Sequence, residues 1–465
     1  MNLRILVLFV LLVLTATVPV RAEDAPQRPN VLMIAVDDLN DWTGLLGGHP
    51  QAQTPNLDRL MRMGVRFTNA HCAAPSCNPS RAALMSGLRP HQTGVYDNDQ
   101  DWMPVIPKSK TLTSQFLNAG YEVLGGGKIY HADAHRDGEW SGYFSERGSN
   151  RAMRPHPSAN GDGVGGIKFY PIAGGDEAIS DYHIASYAIE QLGQLGETRD
   201  KPLFLAVGFH KPHMPWAVPK EYFDRFPLDE IQLPEVKPDD LADVPPAGVK
   251  MAKPNGDHAK MLESGRWKEA VQAYLATIAF LDGQLGRVLD AYENPEVAEN
   301  TILVLWSDHG WHLGEKQHWR KFALWEEATR MPYAFVVPGM TDRDVVCDRP
   351  VDLMSLYPTI CELCGIAKPD HVVGESLVPL LKDASSPWDS VALTTFHRRN
   401  HAIRDDRYRY IRYADGGEEL YDLQADPQCF DNLAADAAHS QAKETLRSKL
   451  PTEDAPELPH KAGKK

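Results

Sequence analysis

The sequence has no surplus of basic residues. Its 48 Lys and Arg stand against 63 Asp and Glu, for a formal net charge of −15. No generic nucleic-acid-binding surface is advertised, although a pocket for a small anion can be basic inside an acidic protein. There is no long biased tract and no internal repeat, so the composition is that of an ordinary globular chain. Beyond residue 22, no segment reads as transmembrane. Cysteine is scarce: Cys72, Cys77, Cys347, Cys361, Cys364 and Cys429 are the six. If one of them has a chemical task, at least one other stays unpaired. Cys361 and Cys364 form a lone C-x-x-C in an apolar stretch, which is a weak zinc signal. It reads as packing or a local disulfide.

What is present begins with "MNLRILVLFVLLVLTATVPVRA". An early Arg4, a long apolar run and the small Ala22 read as a signal peptide over 1–22, cut after Ala22. Export to the periplasm or outside the cell is therefore expected, with no stable membrane insertion. The alternative is an uncleaved anchor, since the apolar run is nearly long enough to span. The length allows a large core and two or more structural units.

Further along, "PNVLMIAVDD", "YEVLGGGK", "KPLFLAVGFHKPH" and "NTILVLWSDHG" are short apolar runs that end in polar residues. Each reads as a buried parallel strand. "TPNLDRLMRMG" reads as a helix from Pro55 to Gly64, and residues 269–292 as a long amphipathic helix. Alternating strands and helices predict an α/β fold with a mainly parallel sheet flanked by helices, over residues 27–385. Residues 145–178 and 230–258 read as long surface loops around a pocket. Over 386–440, short alternating strands with a turn at Gly416-Gly417 predict a smaller C-terminal unit with an antiparallel sheet. Residues 441–465 read as a loose tail.

The polar residues cluster at one predicted edge. Asp37, Asp38, Lys128, His131, His210, Asp308 and His309 all follow strand carboxyl ends, where open α/β sheets hold ligands. Either acid pair alone is an ordinary cap or solvated loop. Together, three carboxylates need a cation or protons to coexist, and a hard divalent ion, calcium or magnesium, is the natural partner. His309 is an unusual ligand for calcium. Around them, "GGGKIYH" offers Lys128 and His131, close if the segment turns helical. "FHKPHMPW" offers His210, Lys211 and His213, and "GEKQHWRKF" offers Lys316, Arg320 and Lys321. Cations converging on a metal-bearing rim would make a site for a tetrahedral anion.

"CNPSRAALMSGLRP" (77–90) then explains one cysteine. Cys77-x-Pro79-Ser80-Arg81 lies some 40 residues after the strand ending in paired aspartates, and it resembles the signature of the type I, formylglycine-dependent sulfatases. "GGGKIYH", "LFLAVGFHKPHMPW", "SDHGWHLGEKQHWRKF" and "YDLQADPQCFDNLA" extend the resemblance over almost the whole chain. The Asp-His pair 308–309 and "GFHKPHMPW" are similar to the iduronate-2-sulfatase branch. The resemblance implies an alkaline-phosphatase-like fold and hydrolysis of sulfate esters on a sulfated saccharide. It implies Cys77 oxidised to formylglycine by a formylglycine-generating or anaerobic sulfatase-maturating enzyme. Asp37, Asp38, Asp308, His309 and the modified Cys77 would bind the metal, most simply Ca2+. Arg81 would hold the hydrated aldehyde, and Lys128 and Lys321 would grip sulfate oxygens. His131 would deprotonate the hydrate, and His210 would serve the leaving oxygen. A 2-O-sulfated terminal uronic acid is the expected substrate, with algal polysaccharides as an alternative. Arg398 and Arg399 are candidates for a second anionic group, or a solvated pair. The rival readings are a phosphate or phosphonate monoester hydrolase, a non-catalytic binder of sulfated polysaccharide, and a sulfotransferase.

Overall fold

The computed structural model describes residues 28–132, 135–145, 153–195 and 199–460. The expected leader, 1–22, lies outside the described residues. An eight-stranded sheet forms the centre, in the order 345–347, 65–67, 333–336, 301–307, 30–37, 203–212, 122–127 and 142–144. Seven strands share one direction, and Tyr333–Val336 runs against its neighbours.

The strand Asn30–Asp37 sits between Thr301–Ser307 and Leu203–Pro212, parallel to both. Its side chains alternate between two cores. Leu32, Ile34 and Val36 enter one, and Val31, Met33 and Ala35 enter the other. Burial on both faces is why this strand reads as an unbroken apolar run. The first core is roofed by Ser180–Gly193 and by the 26-residue helix Trp267–Tyr292. The second is covered by Cys77–Ser86, Leu112–Asn118 and Leu356–Leu363. Cys361 and Cys364 belong to this second core, buried and as free thiols.

A four-stranded antiparallel sheet follows, in the order 392–395, 401–404, 408–412, 418–422. It is fastened to the large sheet's layer by polar contacts. Thr395 N–H donates to Ala73 O at 2.9 Å and Thr394 Oγ1 to Cys72 O at 2.6 Å. The buried Arg409 donates to Glu326 at 2.5 Å and to Thr329 Oγ1 at 2.6 Å.

Two expectations need correction. The tail from 441 is not loose as far as His460. Ser440–Arg447 is a helix whose Leu446 joins Leu450, Ile403, Tyr410 and Leu420 in a core of its own. The chain then returns to the large unit, where Ala455 N–H donates to His91 O (2.7 Å) and Leu458 N–H to Gly94 O (3.0 Å). The stretch expected as a loop over 145–178 is also more than that in its described part, 153–178, since Phe169–Ala173 pairs with Trp216–Pro219 and buries Phe169 and Ile172. Both segments are polar by composition, and a few well-spaced apolar residues suffice to dock them.

Candidate active site

Asp37 and Asp38 leave the carboxyl end of their strand, and Asp308 and His309 leave that of its neighbour. The parallel register therefore sets the two pairs side by side. Asp38 N–H donates to Asp308 Oδ1 at 3.1 Å, and Asp308 N–H to Val36 O at 3.1 Å. Asp38 has φ +64°, a left-handed conformation uncommon outside glycine. Strain of this kind persists where the surroundings impose it, and it clusters at functional sites.

Cys77 opens the helix Cys77–Ser86, so its Sγ faces the positive end of a ten-residue helix. Arg81 lies four residues on, along the same face. Lys321 Nζ donates to Cys77 Sγ at 2.9 Å and to Asp38 Oδ1 at 2.7 Å. Lys128 Nζ lies 3.6 Å from Sγ and is paired with Asp37. His309 Nε2 lies 3.3 Å from Sγ, 3.4 Å from Asp38 and 3.6 Å from Asp308. All of these side chains are at most 6% exposed.

Arg81 occupies a bracing position. Its Nε donates to Asp308 Oδ2 at 2.7 Å, one terminal nitrogen to the carbonyls of Lys128 and Ile129, and the other to Val36 O and Asp37. It ties together the ends of three strands and the helix. Lys128 and His131 remain at the site without the helical turn expected of them: the strand ends at Gly127, with φ +74°, and the chain turns without a helix.

Charge sets the protonation of the cluster. Burial raises the Cys77 thiol well above its ordinary value, with Asp37 adding to the shift. Burial also works against the Asp37 carboxylate, yet Lys128, His213 and Arg81 together hold its pKa well below normal. Asp38 is pushed up, by burial first, against the pull of Lys321. His131 is held down at about 2 by burial and by Lys128, so it is neutral, and its buried Nδ1 has no hydrogen-bond partner among the described residues.

The donor set fits a divalent cation. Ligand atoms of Asp37, Cys77, Asp308 and His309 lie within 4.8 Å of one another, as do those of Asp37, Asp38, Cys77 and His213. Asp38 Oδ2 is buried without a hydrogen-bond partner among the described residues, a cost that a cation would remove. His309 Nδ1–H donates to Gly310 O at 3.0 Å, which leaves the Nε2 lone pair facing the carboxylates, the arrangement of a metal-binding imidazole. Three carboxylates are balanced by Arg81, Lys128 and Lys321, so a divalent ion would leave the pocket with a surplus of about two positive charges, suited to an anion.

His210 stands at the rim, with its side chain 35% exposed. Its partner Asp181 is buried, at the start of the helix Ser180–Gly193. Asp181 Oδ1 accepts the His210 backbone N–H at 2.9 Å and faces Nδ1 at 3.3 Å, while Oδ2 accepts the Lys211 N–H at 2.8 Å. Sequence reasoning missed Asp181, because an acid in a helix's first turn has an ordinary capping reading. His213, offered by the sequence with His210 and Lys211 but given no role there, reaches the acids: its Nε2 lies 3.8 Å from Asp38 Oδ2. Of the cations in "GEKQHWRKF", only Lys321 reaches Cys77. Lys316 is buried against Asp240 (2.6 Å) and Arg320 pairs with Asp257 (2.7 Å).

Known proteins match this chain along nearly its full length. The family model described as Sulfatase matches residues 29–366, and that described as N-sulphoglucosamine sulphohydrolase, C-terminal, matches residues 314–455. A sulfatase of Formosa agariphila is 39% identical over 457 residues, 92% of this chain and 87% of that protein. Iduronate 2-sulfatase of Homo sapiens is 30% identical over 403 residues, 75% of this chain and 71% of that protein. Among solved structures, the phosphonate monoester hydrolase of Agrobacterium radiobacter superposes with a TM-score of 0.75 at 24% identity, covering 91% of this chain and 94% of that one. This last likeness concerns the fold alone, and it bears out the alkaline-phosphatase-like architecture.

Proposed function

The chain belongs to the sulfatase family and is a sulfuric ester hydrolase, and on that premise we propose that it removes sulfate from a saccharide, with Cys77 converted to formylglycine as its nucleophile. The observation that carries this reading is the convergence of Lys321 Nζ, Lys128 Nζ and His309 Nε2 on Cys77 Sγ, within 2.9–3.6 Å, at a helix N-terminus. An unmodified buried thiol with a raised pKa is a poor nucleophile. Once formed, the hydrated aldehyde would supply two hydroxyls, one displacing the alcohol from sulfur and the other, on deprotonation, expelling sulfate as the aldehyde returns.

Asp37, Asp38, Asp308 and His309 would hold the cation, for which we name calcium because three of the four donors are carboxylates. When bound, it would lower the pKa of a hydroxyl beside it and offset negative charge on the ester. The remaining work falls to side chains of the chain itself. Lys128 and Lys321 grip sulfate oxygens and take up charge as it shifts toward the leaving group. Arg81 keeps Asp37 and Asp308 from drifting apart. Neutral His131 accepts the proton of the second hydroxyl. His210, oriented by Asp181, protonates the leaving sugar oxygen.

Full burial of Cys77 in the folded chain implies that a maturase converts it before folding closes the site. The leader-like start supports export, and no helix among the described residues is long and apolar enough to cross a membrane. A 2-O-sulfated terminal uronic acid is the substrate we name, on the likeness to iduronate 2-sulfatase.

The test is sulfate release from a disaccharide ending in 2-O-sulfated iduronate, by protein whose Cys77 peptide carries the formylglycine mass. Release that disappears in a folded Cys77→Ala variant is expected. Retained release in that variant would end the nucleophile assignment. Release only from other sulfated sugars would move the substrate but not the chemistry. Faster turnover of matched phosphate or phosphonate monoesters would favour the phosphohydrolase reading of the shared fold.

A further inference from the structure

A cavity of about 570 Å³ opens beside the site, against Phe322, the residue after Lys321. Phe322 N–H donates to Pro75 O at 3.1 Å, so this wall is anchored two residues before Cys77. The opposite walls come from elsewhere. Phe396 and His397 follow the first strand of the small sheet, and Lys250 and Lys253 come from the helix Pro246–Ala252 and its left-handed cap. The ring of His318 joins these walls, between Ala252 O (2.8 Å) and Lys321 O (2.7 Å). At Ala414 the cavity meets a second hollow of about 440 Å³, which Arg399 and Arg412 line.

Three features set this region apart. First, it is cationic on an acidic protein. The side chains of Lys250, Lys253, Arg399 and Arg412 are in no ion pair among the described residues; Asp415 is the one acid lining the first cavity, and in the second Arg399, Arg412 and Arg447 outnumber Glu418 and Asp454. Second, Phe322 and Phe396 lie with ring centroids 6.0 Å apart and give that cavity an aromatic floor, a surface on which sugar rings pack. Third, Lys253, Phe322, His397 and Arg399 all have positive φ, between 53° and 75°. Four of the eleven such non-glycine residues described in the chain therefore surround one cleft, and strained backbone gathers where a ligand is held.

We propose that this cleft is a binding subsite for the sugar next to the sulfated one, and that Lys250, Lys253, Arg399 and Arg412 select a neighbour carrying its own negative group, a carboxylate or a second sulfate. The inference rests on the saccharide reading above and extends it. A single sulfated sugar fills the pocket over Cys77, and a longer anionic chain also crosses the cleft between the two sheets. Arg398 does not take part, because its guanidinium donates to Asp454 O at 3.2 Å.

Binding can be measured without turnover. A tetrasaccharide from heparan sulfate, ending in 2-O-sulfated iduronate, is titrated calorimetrically into the full-length Cys77→Ala protein. The titration is repeated after adding Lys250→Ala and Lys253→Ala. Both lysines are exposed, and an unchanged melting temperature would verify the fold. Loss of two charge contacts should raise Kd about tenfold and flatten its dependence on salt. Lys→Arg at both positions should restore the affinity. A carboxyl-reduced tetrasaccharide, and one stripped of its inner sulfates, identify the anion: the one that no longer responds to the lysine changes has lost the recognised group. An unchanged Kd in the double Ala variant, or no binding of the tetrasaccharide, overturns the subsite. The hydrolase reading is judged separately by sulfate release from formylglycine-bearing protein. Release together with an unchanged Kd would sink the subsite alone, and no release from any sulfated saccharide would sink that reading.

Discussion

Replacing Asp181 by Asn should cripple turnover while leaving the fold standing. The carboxylate accepts two backbone N–H groups, from His210 and Lys211, and faces His210 Nδ1, all within 3.3 Å. Asn keeps the shape but has one acceptor oxygen, so one of these donors meets an NH2 group. A hydrogen bond to a charged, buried partner is worth roughly 1.5–3 kcal/mol. If that falls on the orientation of His210 as substrate reacts, kcat/KM drops roughly 10- to 100-fold. The loss should appear in kcat more than in KM, because in the proposed function the grip on sulfate falls to Lys128 and Lys321 rather than to this pair. Steady-state sulfate release by wild type, Asp181→Asn, His210→Ala and the double variant forms a cycle. The double variant should be no worse than His210→Ala, since Asp181 acts through that imidazole. A full second loss on top of His210→Ala would refute the reasoning, as would Asp181→Asn activity within twofold of wild type.

Other consequences are as direct. His131→Ala should stall the second half of the cycle, so that sulfate stays on residue 77 and an intact-mass measurement finds the adduct; its absence during turnover would remove His131 as the base. Chelation should lower both activity and melting temperature, since a cation present at a hundredfold its Kd stabilises by about 2.7 kcal/mol; calcium should restore both. The last concerns acid stability. Burial alone would raise the Glu326 pKa, but Arg409, His71 and Arg404 hold it at about 2, below an ordinary 4.5. The folded state then binds fewer protons than the unfolded one between these values. The stabilisation, about 3 kcal/mol, is complete above pH 4.5 and is lost as the pH falls toward 2. Glu326→Gln should flatten that limb of a urea-melt profile and leave neutral-pH activity standing.

Much of the site was legible because parallel strands impose a simple rule. A strand buried on both faces must be apolar, so polar residues mark its carboxyl end, and four such ends had to meet at one edge. Asp37, Asp38, Asp308, His309, Lys128 and His210 were found in this way. Lys321 was set apart from Lys316 and Arg320 by the family resemblance alone, not by charge pattern or periodicity. Its role depends on a reversal of the chain in which Lys316, Gln317, Arg320 and Phe322 all adopt positive φ, and sequence periodicity does not report such turns. Asp181 was hidden by an equally good helix-start reading. The docking of residues 451–460 was hidden because the segment mostly offers backbone groups, as at Ala455 and Leu458, to partners far away in sequence, and a backbone group carries no sequence signal.

That docking bears on when the active site can exist. Leu458 O accepts from Gln100 Nε2 at 2.8 Å, Gln100 O accepts from Asn78 Nδ2 at 2.9 Å, and Asn78 is the residue after Cys77. The first turn of the Cys77 helix is thus latched through Gln100 by a residue 358 positions further along the chain. Until Leu458 docks, the helix that opens at Cys77 lacks this latch. Order at residue 77 is therefore a long-range property, set in part by a segment that follows the small sheet in sequence.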